Sequence, residues 1–278
     1  MFRVIQISDT HLGAKTNHFR DNWRIAADWI AAERPDLVIN TGDISLDGAD
    51  FPDDFIFAAG LHAELGCDVL AVPGNHDVGD HPKLSSGRQV INPTRRQCYL
   101  DHIGPDRWTR IVGNWLLIGI DALLIGSGLP EEAEQTAWLR DAVAGAGERR
   151  IAVFLHKPFF LETRDEAAFH YWCVEPTVRA DYAWLLDDPR LRLVSSGHLH
   201  QYRLERIGHT QFLWAPSVAF ICGPALQEDL GGLREVGVLD LRFGDDDVTI
   251  ERLRLPGMTD LVFDEIVHEL YPPLPERV

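Results

Sequence analysis

Short runs of β-branched and apolar residues recur along the chain, and several of them end directly in polar side chains. In chain order, the clearest runs are residues 4–7, 37–39, 69–72, 151–155 and 191–194. A near-continuous hydrophobic run of this length, followed by Gly or Ser, is typical of a strand that is buried on both faces. The pattern therefore predicts a sheet whose buried strands end in polar residues.

The first half of the chain alternates such strands with amphipathic segments. In order, the predicted elements are a strand over residues 2–8, a helix near 19–34, a strand over 36–40, a helix near 52–65 and a strand over 67–72. Pro35 ends the first helix and Pro52 begins the second, as the fixed proline φ angle favours. This βαβαβ order implies a parallel sheet with right-handed crossovers.

The pattern changes after residue 80. Gly113-Asn114 separates two predicted strands, Arg107–Val112 and Trp115–Ile120, and is typical of a tight hairpin. The later elements are helices near 130–144 and 177–187, strands over 151–155 and 191–195, and short strands over Tyr202–Ile207, Gln211–Trp214, Val236–Leu241 and Val248–Leu253. Their spacing predicts a mixed second sheet that packs on the first.

We find no internal repeat, low-complexity tract or linker, which predicts one continuous domain over residues 1–256. Pro256-Gly257 marks a turn, and residues 257–278 form a tail with an amphipathic segment, Thr259–Leu270. We expect this tail to pack against the body of the domain. A dimer contact within a homo-oligomer is the alternative.

The charge balance bears on the partners. With 43 Asp+Glu against 26 Lys+Arg, the formal net charge is −17. Such a surface repels polyanions, so we expect neither an extended nucleic acid nor a membrane as a partner. A small phosphoester substrate stays compatible, because bound divalent metals would reverse the local field.

The termini and cysteines bear on the compartment. We expect no secretory signal, because no charged region, apolar stretch and cleavage site precede the first strand, and no apolar run approaches the ~20 residues that span a bilayer. The four cysteines, Cys67, Cys98, Cys173 and Cys222, lie far apart and form no C-x-x-C pair. We therefore expect four free thiols and a cytoplasmic protein.

The polar residues at the strand ends are the candidate chemistry. In open α/β sheets, ligands gather outside the carboxyl ends of the strands. The side chains predicted to meet there are Asp9, His11, Asp43, Asn75, His76, His156, His198 and His200. This collection of oxygen and imidazole ligands is sufficient for two metal ions.

The spacing supports a shared site. Asp9 and His11 are two residues apart, as are His198 and His200, and residues i and i+2 of a strand point the same way. Asp43 follows Gly42, whose missing side chain would allow a sharp turn beside a metal. A single carboxylate between two ions can bridge them at the ~3.5–4 Å separation of two-metal hydrolytic sites.

Each motif alone is common, but their joint order is informative. The order D-x-H, G-D, G-N-H-D, H, G-H-x-H, from Asp9 to His200, resembles the calcineurin-like metallophosphoesterase superfamily. The resemblance implies an α/β fold, a four-layer α/β/β/α sandwich with two mixed sheets.

The resemblance also implies a role for each motif residue. The first metal would be held by Asp9, His11, Asp43 and His200, and the second by Asp43, Asn75, His156 and His198. His76 matches the catalytic histidine and is not a metal ligand. Mixed nitrogen and oxygen ligation without thiolate suits manganese, iron or zinc.

The motifs imply a mechanism as well. Two divalent ions would activate a water for in-line attack on phosphorus. His76 would contact the phosphoryl group and help to protonate the leaving oxygen. Asp77 would either orient His76 or another ligand, or stabilise the turn in which it lies.

The same blocks narrow the reaction class. Ser/Thr protein phosphatases of this superfamily carry G-D-x-x-D-R-G and G-N-H-E, whereas here residues 42–48 read GDISLDG and residues 74–77 read GNHD. The sequence is more similar to bacterial cyclic-nucleotide and glycerophosphodiester phosphodiesterases. We predict a phosphodiesterase. The alternatives are a phosphomonoesterase, a nucleotide-linked pyrophosphatase, or a catalytically silent scaffold, which should have lost ligands.

Two segments are candidates for substrate contact. Pro158–Trp172 directly follows a predicted ligand and holds five aromatic residues, Phe159, Phe160, Phe169, Tyr171 and Trp172. It forms either a flap over the site or a long loop whose aromatics pack on the body. Gly13–His18 is a second candidate wall, with Asn17 and His18 as possible substrate contacts.

Overall fold

The computed structural model describes residues 1–84, 89–168 and 170–270. In chain order, its strands are β1 (Phe2–Ile7), β2 (Leu37–Asn40), β3 (Val69–Ala71), β4 (Trp108–Val112), β5 (Trp115–Gly119), β6 (Arg150–Leu155), β7 (Leu191–Ser196), β8 (Arg203–Ile207), β9 (Thr210–Trp214), β10 (Val238–Phe243) and β11 (Val248–Leu253). Its α-helices are α1 (Arg20–Glu33), α2 (Pro52–Ala63), α3 (Asn75–Val78), α4 (Pro93–His102), α5 (Pro130–Ala144), α6 (Pro176–Arg179), α7 (Ala183–Leu186) and α8 (Phe263–Leu270).

The strands form two mixed sheets. The first has the order β11-β10-β1-β2-β3, and the second has the order β4-β5-β6-β7-β9-β8. In the first sheet β1, β2 and β3 are parallel. In the second, β5, β6, β7 and β9 are parallel. With helices on the outer faces, the fold is the four-layer sandwich that the motifs implied.

Alternation along the strands explains the layers. In β1, Val4 packs in a cluster with Leu117 of β5 and Phe154 of β6, so this cluster lies between the two sheets. Ile5 and Ile7, which point the other way, share a second cluster with residues of α1. Because successive side chains of a strand point to opposite faces, each buried strand contributes to both cores.

The last hairpin lies in a different sheet from the one predicted. β10 pairs antiparallel with β1, from Phe2 opposite Phe243 to Gln6 opposite Leu239. The prediction that residues 236–253 belong to the second sheet is therefore wrong. Hydrophobic periodicity marks a strand but carries no information about its partner, and without β10 the backbone of β1 would be an unpaired edge.

Two helical regions also differ from the prediction. Helix α4 was not predicted, because Tyr99 is its single fully buried residue and the apolar periodicity is weak. Its start is nevertheless marked: the Asn92 side chain accepts a hydrogen bond from the amide of Arg95, and Pro93 occupies the first turn. The helix predicted near 177–187 is broken, with a 3₁₀ turn at Ala180–Tyr182 between α6 and α7.

The C-terminal segment packs on the body as far as it is described. Phe263, at the start of α8, stacks on Phe220 with ring centroids 4.2 Å apart. Residues 271–278 of the tail lie outside the described residues. No helix in the described ranges is long and apolar enough to cross a membrane. All four cysteines are free thiols, as predicted.

Candidate metal centre

The carboxyl ends of strands from both sheets bring the predicted polar side chains together. Ligand-type atoms of the carboxylates and imidazoles approach within 4.8 Å in three overlapping groups: Asp9, His11 and His200; His11, Asp43 and His76; and Asp43, His156 and His198. His76 is half-buried, and the other members are buried. The residues predicted from the sequence therefore form one continuous polar cluster at the carboxyl ends of the strands.

The first group of donors contains Asp9, His11 and His200. Nε2 of His200 lies 3.2 Å from Oδ1 of Asp9 and 3.3 Å from Nε2 of His11. The opposite nitrogen of His200, Nδ1, lies 2.9 Å from the carbonyl oxygen of Phe220. A proton on Nδ1 that donates to this carbonyl leaves Nε2 with its lone pair directed at the cluster.

The second group of donors takes His156 and His198 from the last of these clusters and adds Asn75. Nε2 of His156 lies 3.2 Å from Oδ1 of Asn75, and its Nδ1 lies 2.8 Å from the carbonyl oxygen of Thr41. In His198 the arrangement is reversed, because Nε2 lies 3.2 Å from the carbonyl oxygen of Tyr171. In each ring, one nitrogen thus contacts a backbone carbonyl, and the other nitrogen is left to bind a metal ion.

Asp43 joins the two groups. Its Oδ2 lies 3.7 Å from Nε2 of His11 and 3.3 Å from Nε2 of His156. Its Oδ1 accepts a hydrogen bond of 2.8 Å from the backbone amide of His76. One carboxylate therefore contacts a member of each donor group, which is the position that a bridging ligand requires.

The donor set can hold a cation. Nε2 of His156 lies 3.2 Å from Oδ1 of Asn75 and 3.3 Å from Oδ2 of Asp43, so either a proton or a cation must lie between these atoms. Without a cation, a proton on His156 would separate them: burial lowers the pKa of His156, but the Asp43 carboxylate outweighs it and the pKa is raised to about 9. The pKa of His11 is well below its usual value, chiefly because of burial and then of His76.

The backbone at these residues is strained. Asp9, His11, Asp43, His198 and His200 have φ angles between 42° and 69°, in the left-handed region that non-glycine residues rarely adopt. Such strain persists only where the surroundings impose it, and it concentrates at functional sites. The prediction that strand alternation points Asp9 and His11 the same way is therefore wrong. Both residues lie beyond the end of β1, in left-handed turns.

Gly42 has the role that the sequence predicted. Its φ is +98°, and a β-carbon there would lie 2.6 Å from Nδ1 of His156. The amide of Asp9 in turn donates to the carbonyl oxygen of Gly42 at 2.9 Å. The turn before Asp43 therefore needs both the conformation and the small size of glycine.

His76 lies at the edge of the cluster. Its Nδ1 lies 2.8 Å from the carbonyl oxygen of Leu46, and its ring stands edge-on to His11 with centroids 4.7 Å apart. The Leu46 carbonyl therefore fixes the orientation of the His76 ring.

Asp77 braces the turns rather than a histidine. Its carboxylate accepts hydrogen bonds from the backbone amides of Ile44, Ser45 and Gly74. These residues flank Asp43 and Asn75, so Asp77 ties the loop after β2 to the loop after β3. Burial, followed by the charge of Asp43, raises the pKa of Asp77 to about 6.

Asn17 and His18 lie beside the cluster but not in it. Both line a cavity of about 870 Å³ whose walls also include Leu46, Asp47 and Glu269. The two ring nitrogens of His18 lie 2.7 Å from the Thr16 hydroxyl and 2.9 Å from the Glu269 carboxylate. His18 is therefore already engaged in the wall of this cavity.

The aromatic segment divides into two parts. Phe159 and Phe160 are buried in the core, which agrees with the interpretation that the aromatic residues pack a long loop on the body. Tyr171 and Trp172 instead reach the second donor group, with ring centroids 4.9 Å and 5.5 Å from that of His198. Phe169 lies outside the described residues.

The groups that contact the histidine rings were not predictable from the sequence. The carbonyls of Thr41, Tyr171 and Phe220 accept from histidine rings, and a carbonyl leaves no mark on the sequence. Phe220 also packs its ring 4.3 Å from His200. It lies between β9 and β10, where no periodic pattern signalled a role.

The fold and this cluster together define a class: a two-sheet α/β sandwich with histidine and carboxylate donors at the shared rim of its strands. The family model of the calcineurin-like phosphoesterases matches residues 2–202. The chain belongs to the calcineurin-like phosphoesterase family.

Individual relatives are distant. A 3′,5′-cyclic adenosine monophosphate phosphodiesterase, CpdA of Pseudomonas aeruginosa, is 28% identical over 80% of this chain and 78% of its own length. The human serine/threonine-protein phosphatase CPPED1 is 26% identical over 71% of this chain and 61% of its own. A dimetal phosphatase from Danio rerio superposes with a TM-score of 0.59 at 17% identity, covering 90% of this chain and 95% of that one. This last likeness concerns the fold.

Proposed function

We propose that the protein is a binuclear-metal phosphoester hydrolase. The observation that carries this proposal is the position of Asp43, whose Oδ2 lies 3.7 Å from His11 in one donor group and 3.3 Å from His156 in the other. Asp9, His11, Asp43 and His200 would hold one divalent ion, and Asp43, Asn75, His156 and His198 the other. Divalent ions bound there would supply a water of lowered pKa and neutralise charge on the phosphoryl oxygens.

The chain's own residues would complete the reaction. His76 would protonate the leaving oxygen, and the hydrogen bond of 2.8 Å between its Nδ1 and the Leu46 carbonyl would hold the ring for that transfer. The His76 amide donates to Oδ1 of Asp43, so the proton donor and the shared carboxylate keep a fixed separation. This fixed geometry reduces the reorganisation required during the reaction.

We propose small phosphodiesters, such as cyclic nucleotides or glycerophosphodiesters, as the substrate class. The cavity of about 870 Å³ has room for a leaving group, and Leu46, which lines it, also contacts His76 through its carbonyl oxygen. The similarity to CpdA covers more of the chain than the similarity to CPPED1 does, and the arginine of the protein-phosphatase G-D-x-x-D-R-G block is missing. A phosphomonoesterase is the second candidate, because CPPED1 carries a phosphatase name.

The test combines metal analysis with a substrate panel. The purified chain is loaded separately with manganese, iron or zinc and assayed on bis- and mono-p-nitrophenyl phosphate, cyclic nucleotides, glycerophosphodiesters and nucleotide diphosphates. We expect about two ions per chain, as a two-metal site requires, and faster turnover of diesters than of monoesters. Less than one tightly bound ion per chain, with no hydrolysis under any metal, would exclude the enzyme. Faster monoester turnover would favour the second candidate.

A further inference from the structure

Tyr171 contacts two donors of the second group through two different atoms. Its hydroxyl oxygen accepts a hydrogen bond of 3.2 Å from Nδ2 of Asn75. Its backbone carbonyl oxygen lies 3.2 Å from Nε2 of His198. Its ring also packs on the His198 ring, with centroids 4.9 Å apart.

These contacts decide which atoms remain for a metal ion. An asparagine amide presents either oxygen or nitrogen, and only the oxygen is a ligand. With Nδ2 held by the Tyr171 hydroxyl, Oδ1 is directed at Nε2 of His156, 3.2 Å away. With Nε2 of His198 donating to the Tyr171 carbonyl, Nδ1 is the ring nitrogen that keeps a lone pair.

Tyr171 is itself held in place from the opposite direction. The ammonium group of Lys157 lies 4.5 Å from the centre of the Tyr171 ring. Lys157 is buried and donates to both carboxylate oxygens of Asp80, at 2.7 Å and 2.9 Å. This buried ion pair holds the Lys157 ammonium group in one position. The cation–π contact therefore favours one position of the Tyr171 ring beside the site.

We propose that Tyr171 is a positioning residue for the second metal ion. This inference rests on the proposed function, because it assumes that Asn75 and His198 are ligands. The hydroxyl sets the rotation of the Asn75 amide and the carbonyl sets the His198 ring nitrogen, so one residue prepares two of the donors before a metal arrives. Packing alone would not require the hydroxyl.

The decisive variant is Tyr171→Phe, which removes the hydroxyl and keeps the ring and the carbonyl. Metal-stripped protein is titrated with Mn²⁺ by calorimetry, and the second ion is identified by its loss in His198→Ala. We expect Tyr171→Phe to weaken binding of the second ion by about 10- to 100-fold, the usual effect of removing a partner that orients a ligand. Binding of the first ion should not change.

The matched control is Tyr182→Phe, since the Tyr182 hydroxyl bonds to Thr136 and not to a predicted ligand. It should bind both ions as the unmodified chain does. Turnover provides a second readout: excess Mn²⁺ should restore Tyr171→Phe if the hydroxyl acts through metal binding. A direct role of the hydroxyl on the substrate would leave a loss that metal does not restore.

The possible failures are distinguishable. If the unmodified chain binds fewer than two ions, the proposed function fails, and this inference fails with it. If the unmodified chain binds two ions and Tyr171→Phe binds the second equally tightly, or its loss is not restored by metal, the positioning role alone is wrong.

Discussion

Gly74 faces the carboxylate of Asp43 with no room for a side chain between them. A β-carbon at position 74 would lie 2.2 Å from both the backbone nitrogen and Oδ1 of Asp43. Because neither is a flexible chain end, Gly74→Ala must displace the carboxylate that both donor groups share. We expect this variant to lose most of its bound metal and its activity, as measured by elemental analysis and turnover.

The same substitution at Gly60 is the control. Gly60 is an exposed residue of α2, and a β-carbon there would meet nothing within 4 Å. Gly60→Ala should keep its metal and gain about 0.5–1 kcal/mol in free energy of unfolding, because alanine is less flexible in the unfolded chain. Normal metal content in Gly74→Ala would show that the loops after β2 and β3, which hold Asp43 and Gly74, move apart more easily than their contacts indicate.

Asp43→Asn tests the shared ligand directly. The amide keeps the size of the side chain but removes its charge, and it can offer only one oxygen to two ions. We expect at least about a 100-fold loss of turnover and fewer bound ions, with the circular dichroism spectrum retained. Asp240→Asn is the control: Asp240 is buried and paired with Arg3 and Arg242, away from the cluster, so metal content should not change. Near-normal turnover in Asp43→Asn would contradict the bridging role.

His76→Ala distinguishes a proton donor from a ligand. A leaving group that departs readily as an anion needs little protonation, whereas an alkoxide needs it strongly. We expect the loss to be about 100-fold or more for a glycerophosphodiester, and much smaller for bis-p-nitrophenyl phosphate, with two ions still bound. Equal losses on both substrates would indicate that His76 stabilises charge on the phosphoryl group instead.

His62 gives a pH dependence that does not come from a predicted metal ligand. Burial lowers the pKa of His62 to about 4, and its ring nitrogens are engaged by the Asn40 side chain and the Ala58 carbonyl. The unfolded chain, with a histidine pKa near 6.5, therefore binds this proton more readily than the folded protein does. The stabilisation is complete above about pH 6.5 and is lost as the pH falls towards 4, and it amounts to about 3 kcal/mol.

Denaturant unfolding at a series of pH values checks this expectation. His62→Gln keeps a hydrogen-bond acceptor but does not titrate, while the predicted metal ligands titrate in both proteins alike. Between about pH 7 and pH 4, the unmodified chain should lose about 3 kcal/mol more than the variant. Parallel curves would mean that His62 does not control the acid stability.

The strand ends were predictable because a buried parallel strand has a continuous apolar run in its sequence. The polar residue that follows this run lies at the carboxyl end of the strand. Asp9, Asp43 and His156 were located in this way, and the structure brings them together. The family model supports the fold that their order implied. Their assignment to particular ions stays a prediction.

The rest depended on long-range contacts. The φ of 52° at Asp9 is imposed by its surroundings, including the hydrogen bond from its amide to Gly42, and no local propensity of aspartate predicts it. Tyr171 and Phe220 contact His198 and His200 through backbone carbonyl oxygens, which every residue has. The pairing of β10 with β1 was likewise not predictable, because hydrophobic periodicity does not indicate which sheet edge a strand joins.

That pairing has a consequence for biosynthesis. β1 is synthesised well before its partner β10, because Phe2 lies opposite Phe243 in the register. The strand that precedes Asp9 and His11 therefore stays unpaired on that side until β10 has been translated. A product that stalls before β10 would lack this pairing, so we expect it to hold the loop of Asp9 and His11 less firmly than a chain that includes β10.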